Sequence, residues 1–188
     1  MAVKVAINGF GRIGRCVARI ISQRDDVQLV AINDTSSIEM LEYLTKYDTV
    51  HGTFNEEVKV ENGFVTIGKI KAKLYNTRDA KELTFTQDCG AEIVLECTGA
   101  YLTQEKAQVY LDNGASKVIM SAPAKDDTPT YVIGVNEHEY KGEAIISNAS
   151  CTTNCLAPVV HVLLKEGLGI ESGLMTTIHS YTATQKTV

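Results

Sequence analysis

The sequence predicts an α/β fold built on a doubly wound parallel sheet, and three observations support this expectation. Short apolar runs alternate along the chain with segments in which apolar residues keep helical spacing. A glycine-rich turn at residues 9–14 joins the first apolar run to the first helical segment. The composition, with 44% apolar and 22% charged residues among 188, is that of an ordinary globular protein.

Strands are predicted wherever a short apolar run is bounded by turn residues. These runs lie at residues 3–7, 28–32, 93–95, 118–120, 131–133 and 144–146. The dipeptide Asn62-Gly63 separates two short runs that alternate in polarity, which predicts a β-hairpin with a type I′ turn. We interpret the hairpin region as an insertion into the parallel sheet.

Capping residues locate two further helices. Ser36 and Glu39 have the spacing of a capping box, so a helix is expected to follow Ser36. Thr103 is expected to cap a helix that ends near Asn113 and Gly114.

The pattern changes near residue 150. Ser150 is a candidate N-cap for an apolar helix, and a strand is predicted at residues 174–179. One helix and one strand do not bury their own apolar faces. We therefore expect two domains: residues 1–149, and residues 150–188 as the first helix and strand of a second domain whose remainder is absent.

Charge and cysteine content exclude several classes of function. The net charge is −5, and no run of Lys or Arg supplies the positive field that nucleic acids require. No apolar stretch approaches the ~20 residues of a membrane span. Without a signal peptide, the five cysteines are expected to be reduced thiols and the location cytoplasmic. Cys151 and Cys155 lack the second ligand pair of a zinc site, so no metal is expected.

The glycine-rich turn has the pattern G-x-G-x-x-G, formed by Gly9, Gly11 and Gly14. It follows a strand and opens a helix, and Asp34 comes 20 residues after Gly14, at the end of the next strand. This context predicts a Rossmann-type dinucleotide site. The helix N-terminus would bind the pyrophosphate and Asp34 the ribose hydroxyls, which favours NAD over NADP. The alternative is a purely structural glycine turn.

Cys151 is a candidate nucleophile because it stands at the predicted start of a helix, where unpaired amides lower a thiol pKa. His179 ends the following predicted strand, 28 residues later. A helix start and the carboxyl end of the next strand share one edge of a sheet, so the two side chains are expected to meet. The alternative is an unreactive, buried cysteine that only packs.

Seven segments together resemble the N-terminal part of the phosphorylating glyceraldehyde-3-phosphate dehydrogenase family. They are A-I-N-G-F-G-R-I-G-R at 6–15, A-I-N-D at 31–34, E-C-T-G at 96–99, M-S-A-P at 120–123, G-V-N at 134–136, S-N-A-S-C-T-T-N-C-L-A-P at 147–158 and T-T-I-H-S-Y-T-A-T-Q at 176–185. The resemblance covers essentially the whole chain, and the segment around Cys151 is highly specific.

The resemblance implies a role for each matching position. Cys151 would be the catalytic thiol and His179 its base. Cofactor-binding positions would be Gly9, Phe10, Gly11, Arg12, Ile13, Gly14, Asp34, Arg78, Thr98, Gly99 and Ser121. Positions near the inorganic phosphate and the substrate phosphate would be Ser150, Thr152 and Thr182.

The implied activity is the NAD-dependent oxidative phosphorylation of glyceraldehyde 3-phosphate to 1,3-bisphosphoglycerate, through a thiohemiacetal and a thioester on Cys151. The resemblance implies that residues 1–149 are an NAD-binding Rossmann domain and that residues 150–188 begin a truncated α+β catalytic domain. Family members are longer and typically tetrameric, so we interpret this chain as a fragment with little activity on its own. Two alternatives stay open. One is erythrose-4-phosphate dehydrogenase, and the other is a non-catalytic NAD-binding or thiol redox fragment.

Overall fold

Ten strands are defined in the computed structural model, which describes residues 2–179. They are β1 (Val3–Asn8), β2 (Val27–Asn33), β3 (Tyr47–Asp48), β4 (Gly52–Thr53), β5 (Val58–Glu61), β6 (Phe64–Ile67), β7 (Ile70–Tyr75), β8 (Ile93–Glu96), β9 (Lys117–Met120) and β10 (Ile145–Ser147). Eight of them form one sheet in the order β10-β9-β8-β1-β2-β7-β6-β5, while β3 and β4 form a separate antiparallel pair.

The parallel part of the sheet confirms the predicted doubly wound architecture. β1 pairs in parallel with β2 on one side and with β8 on the other, so the order of the strands reverses beside β1. The helices are α1 (Arg12–Ile21), α2 (Ile38–Lys46), α3 (Phe85–Cys89), α4 (Gln104–Asp112) and α5 (Cys151–Lys165). In such sheets the crevice at the carboxyl ends of the strands, at the point of reversal, is the usual ligand site.

Two apolar clusters lie on opposite faces of the sheet, as the alternation of side chains along a strand requires. In β1, Val5 and Ile7 belong to one cluster and Ala6 to the other, and all three are buried. Tyr110 on α4 is the largest fully buried side chain. Burial on both faces explains why the parallel strands are almost continuously apolar in the sequence.

The predicted hairpin is confirmed. Asn62 and Gly63 have φ angles of 51° and 77°, the left-handed pair that a type I′ turn requires. The strand β7, which the sequence analysis did not identify, pairs antiparallel with β6 and in parallel with β2. The hairpin therefore extends the edge of the main sheet.

Helix starts depend on which side chain is available as a cap. Thr103 and Ser150 cap their helices as predicted, since each side chain accepts a hydrogen bond from an amide in the first turn. The prediction for Ser36 was wrong by one residue. Ser37 accepts from the Met40 amide, whereas the Ser36 amide donates to Asp34.

Two predicted strands do not form in the described residues. Residues 131–133 form no strand: the isolated parallel bridge next to them joins Thr130 and Ser147, and the Val132 amide donates to the side chain of Asn136 instead of to a neighbouring strand. Residues 174–179 have no ladder partner in the described part of the chain, and Leu174 and Ile178 are fully exposed there. A strand exists only through its hydrogen bonds to a neighbour, so an apolar run by itself was insufficient.

No residue of α5 is buried by the other described residues, although its sequence is rich in Leu and Val. None of the helices within residues 2–179 has both the length and the apolar character that a membrane span needs.

We predict that Gly63→Ala lowers the free energy of unfolding by about 1 kcal/mol, because a side chain is disfavoured in the left-handed region. A Cβ at Gly63 meets no atom within 4 Å, so the cost comes from the backbone conformation. Urea unfolding measures it. Gly169→Ala is the control, at an open position outside the left-handed region. Equal effects of the two substitutions would contradict the explanation.

Candidate active site

The turn after β1 lies at the point where the strand order reverses. Gly9 has a φ angle of 92°, and a Cβ there would lie 2.7 Å from the Thr98 nitrogen. A Cβ on Gly14 would lie 2.3 Å from the Gly9 oxygen, whereas one on Gly11 would meet nothing within 4 Å. Two of the glycines are therefore needed for close packing, and the third leaves the outer side of the turn open.

The N-terminus of α1 faces this open side. Gly11 is the N-cap, no side chain caps the first turn, and no acidic residue lies in it. The first amides of a helix carry partial positive charge and lack intrahelical acceptors. Arg12 and Ile13 are exposed, while Phe10 is buried beneath the turn. The Arg12 side chain points to Asp48, with 3.4 Å between Nη2 and Oδ1. The uncapped backbone amides are therefore open to an external hydrogen-bond acceptor.

Asp34 directly follows β2 and is tied to the glycine turn. Its Oδ2 accepts a hydrogen bond of 2.7 Å from the Phe10 amide, and its Oδ1 accepts one of 2.8 Å from the Ser36 amide. These bonds fix the carboxylate next to the helix N-terminus. The fixed negative charge disfavours a phosphate on a ribose hydroxyl at the same place.

The other predicted cofactor positions lie along the same edge of the sheet. Thr98 and Gly99 follow β8 and are exposed, and Ser121 follows β9, where its amide donates to the Glu96 carbonyl. Arg78 lies in an exposed loop after β7, and its carbonyl accepts a hydrogen bond from the Tyr101 hydroxyl.

The start of α5 brings a cysteine and a histidine together. Ala149, with a φ of 58°, redirects the chain after β10, and Ser150 then caps the helix that Cys151 begins. The Cys151 Sγ lies 2.9 Å from the His179 Nε2. The Asn148 amide donates to the Met120 carbonyl, which ties this segment to the carboxyl end of β9. The pair therefore lies beyond the same sheet edge as the glycine turn.

The hydrogen bond from His179 holds the pKa of Cys151 below the ordinary value for a thiol. Partial desolvation opposes this effect, and the Thr152 backbone amide adds to it. Since the thiolate is the nucleophilic form of cysteine, the lowered pKa increases the reactive fraction near neutral pH. Cys97 is the opposite case, because burial raises its pKa to about 11.

Of the three predicted phosphate-binding positions, two lie within the residues that the structure describes. Ser150 and Thr152 flank Cys151 and are half-buried, and the Ser150 Oγ accepts a 3.0 Å hydrogen bond from the Thr153 amide. Thr182 lies outside the described residues. Within residues 2–179 all five cysteines are free, and no cluster of three His, Cys, Asp or Glu side chains is suited to a metal ion.

Comparison with known proteins agrees with this geometry. Residues 3–104 match the family described as "Glyceraldehyde 3-phosphate dehydrogenase, NAD binding domain", and residues 150–188 match the C-terminal domain of the same family. The chain belongs to the glyceraldehyde-3-phosphate dehydrogenase family.

The curated relatives of this family member match it along nearly its whole length. A cytosolic glyceraldehyde-3-phosphate dehydrogenase of Trypanosoma brucei brucei is 47% identical over 188 residues, which are 100% of this chain and 56% of the relative. The enzyme of Bacteroides fragilis is 52% identical over 99% of this chain and 56% of its own length. Glyceraldehyde-3-phosphate dehydrogenase A of Escherichia coli K12 is 47% identical over 100% and 56%. The chain thus spans a little over half the length of these relatives.

The structure of this dehydrogenase-family chain also contains a polar cluster that the sequence analysis did not single out. Glu96, Asn8 and Asn33 end strands of the sheet and are buried, and they contact one another or the Tyr110 hydroxyl. The available signal was a polar residue at the end of an otherwise apolar strand. The motifs A-I-N-G, A-I-N-D and E-C-T-G contain these residues but were used only for the family resemblance.

We predict that His179→Asn slows alkylation of Cys151 by iodoacetamide severalfold at pH 7, because the hydrogen bond that lowers the pKa of the thiol is lost. The difference in alkylation rate should vanish as the pH rises above the ordinary pKa of a thiol, because Cys151 is then fully ionised in both proteins. Mass spectrometry of the labelled peptides gives the rate at each cysteine. The exposed Cys155 is the internal reference, and equal slowing at both cysteines would refute a specific role for His179.

Proposed function

We propose that this chain carries the cofactor site and the nucleophile of an enzyme that oxidises glyceraldehyde 3-phosphate to 1,3-bisphosphoglycerate with NAD⁺ and inorganic phosphate. The observation that carries the proposal is the 2.9 Å contact between Cys151 and His179 beyond the sheet edge that bears the glycine turn. A thiol activated by an imidazole is the arrangement that covalent catalysis on a carbonyl requires.

The proposed domain boundary lies between the two family matches, which cover residues 3–104 and 150–188. We assign residues 1–149 to the NAD-binding domain and residues 150–188 to the start of the catalytic domain. The change of structure supports this boundary, because the strands of the sheet end with β10 at Ser147 and α5 begins at Cys151.

The residues at the sheet edge fit a dinucleotide. The amides of Arg12, Ile13 and Gly14 would hold the pyrophosphate, where the lack of a Cβ on Gly11 leaves open space. Asp34, which accepts from the Phe10 amide, would bind the adenosine ribose, and Arg78 in the loop after β7 would lie on the adenine side of the site. Thr98, Gly99 and Ser121 would line the rest of the groove. When bound, NAD⁺ supplies the acceptor for a hydride.

In the proposed reaction the Cys151 thiolate attacks the aldehyde carbon and forms a C–S bond. The carbonyl oxygen gains negative charge, for which the Cys151 amide at the start of α5 is a donor. The oxygen takes a proton from the protonated His179 and becomes a hydroxyl. His179 would then remove this proton again as a hydride passes from the carbon to the acceptor that NAD⁺ supplies, and a thioester remains on Cys151. Inorganic phosphate attacks this thioester and the C–S bond breaks, so the thiol is regenerated.

Substrate phosphate and inorganic phosphate are proposed to bind beside Cys151. Ser150 and Thr152 flank the nucleophile and are assigned to the inorganic phosphate, and Thr182, outside the described residues, is assigned to the substrate phosphate. We further propose a homotetramer for the whole protein and a cytoplasmic location, which the word "cytosolic" in the relative's name supports. The reported relatives all carry glyceraldehyde-3-phosphate dehydrogenase names. None of these observations favours erythrose-4-phosphate dehydrogenase or a non-catalytic redox module.

We predict different effects for two glycine substitutions in the turn. Gly11→Ala should weaken NAD⁺ binding at least about tenfold, measured by calorimetry, because its methyl group occupies the open side. Its cost in unfolding free energy should stay below about 1 kcal/mol. Gly14→Ala should cost about 2 kcal/mol or more, because its methyl group overlaps the Gly9 oxygen. Undiminished NAD⁺ binding by Gly11→Ala would exclude this turn as the pyrophosphate site.

The proposed chemistry predicts a single-turnover burst. Mixing the chain with glyceraldehyde 3-phosphate, NAD⁺ and phosphate should give a rapid burst of up to one equivalent of NADH per Cys151. Slow steady-state formation of NADH should follow the burst. Cys151→Ser should abolish the burst while NAD⁺ binding persists. The absorbance of NADH records the burst, and calorimetry records the binding of NAD⁺. An equal burst from wild type and Cys151→Ser would rule out the thiol mechanism.

A further inference from the structure

A fully buried carboxylate lies directly beneath the proposed cofactor crevice. Glu96 is the last residue of β8, and none of it is accessible to solvent. No ion pair within residues 2–179 involves Glu96. An ionised side chain without a cation is costly to bury, so its hydrogen bonds have to stabilise it.

Four donors converge on this carboxylate, two on each oxygen. Oε1 accepts the Thr98 amide at 2.7 Å and also the Thr98 hydroxyl. Oε2 accepts the Asn8 side-chain amide at 3.2 Å and the Tyr110 hydroxyl. An ionised carboxylate only accepts hydrogen bonds, which matches four donors. An amide of the same size would place a donor against donors.

The two carboxylate oxygens of Glu96 accept hydrogen bonds from residues at the two loops that border the crevice. Asn8 immediately precedes Gly9, while Thr98 lies in the loop after β8, and these loops touch where Gly9 faces the Thr98 backbone. The Thr98 hydroxyl also accepts the Ala100 amide at 3.0 Å, so the bonds of Glu96 extend around Gly99. One side chain therefore fixes both sides of the contact between the loops.

The cluster continues across the sheet to two further loops, those after β2 and β7. The Asn33 side-chain amide donates to the Asn8 Oδ1 at 2.7 Å and to the Thr77 carbonyl at 2.9 Å. The Thr77 amide donates back to the Asn33 Oδ1 at 3.0 Å. The loops after β1, β2, β7 and β8 are thus joined by buried side chains at the ends of the strands.

We propose that Glu96 is a positioning residue for the dinucleotide site, where it sets the separation of the glycine turn and the Thr98 loop. This inference rests on the proposed NAD⁺ site. It adds that the affinity for the cofactor depends on a carboxylate that is fully buried under the loops. Binding of the two halves of a dinucleotide across the crevice requires both loops at one fixed spacing, and preorganised loops bind more tightly than loops that have to be ordered.

The test compares Glu96→Gln with Val65→Ala in the 188-residue chain. Val65 is fully buried on β6, which is separated from β1 by β2 and β7, so its truncation reports loss of stability alone. Calorimetry gives the Kd for NAD⁺, and thermal unfolding gives the Tm. We expect Glu96→Gln to raise the Kd at least about tenfold. Val65→Ala, at a comparable or greater loss of Tm, should leave the Kd within about twofold.

A second variant tests the inference if Glu96→Gln does not fold. Tyr110→Phe keeps the buried ring and removes one donor to the carboxylate, so it should raise the Kd by about threefold. Amide exchange at Thr98 should also accelerate in either variant, relative to amides of β6.

The outcomes separate this inference from the function on which it rests. An unchanged Kd in the folded Glu96→Gln and Tyr110→Phe variants would overturn the role of Glu96 while the NAD⁺ site stands. The same conclusion would follow if Val65→Ala raised the Kd in proportion to its loss of Tm. Absence of NAD⁺ binding by the wild-type chain would overturn the proposed site itself, and the inference with it.

Discussion

The close approach of the glycine turn to the loop after β8 governs the geometry of this sheet edge. Gly9 leaves no room for a side chain against the Thr98 nitrogen, and Gly14 leaves none against the Gly9 oxygen. This approach lets α1 start directly above the carboxyl end of β1, so its unpaired amides face the crevice. The hydrogen bond from the Phe10 amide to Asp34 depends on the same path of the chain.

The parallel sheet places a second kind of chemistry at the same edge. β10 runs parallel to β9, so the chain leaves both strands on the side where the glycine turn lies. Cys151 starts a helix just after β10, and His179 completes the pair. The Cys151 thiol is exposed and its pKa is lowered, whereas Cys97 is half-buried and desolvation raises its pKa. Position in the fold, and not residue type, decides which thiol has the lowered pKa.

Most of the fold was predictable because its signals are local. Apolar runs located the parallel strands, Asn62-Gly63 located the hairpin, and Thr103 and Ser150 located helix starts. The errors arose where competing partners decide the outcome. Ser36 does not cap the helix, and its amide donates to the side chain of Asp34. Residues 131–133 do not form a strand, and the Val132 amide donates to the side chain of Asn136.

By itself, the sequence determined the order of the elements and the identity of the local motifs, because a turn or a cap is specified by neighbouring residues. It also indicated Cys151 and His179, since their spacing fits a helix and the segment after it. Only the tertiary structure revealed the buried cluster around Glu96, whose partners Asn8 and Tyr110 lie 88 and 14 residues away. Such a contact depends on which strand ends lie side by side, and no local pattern encodes that arrangement.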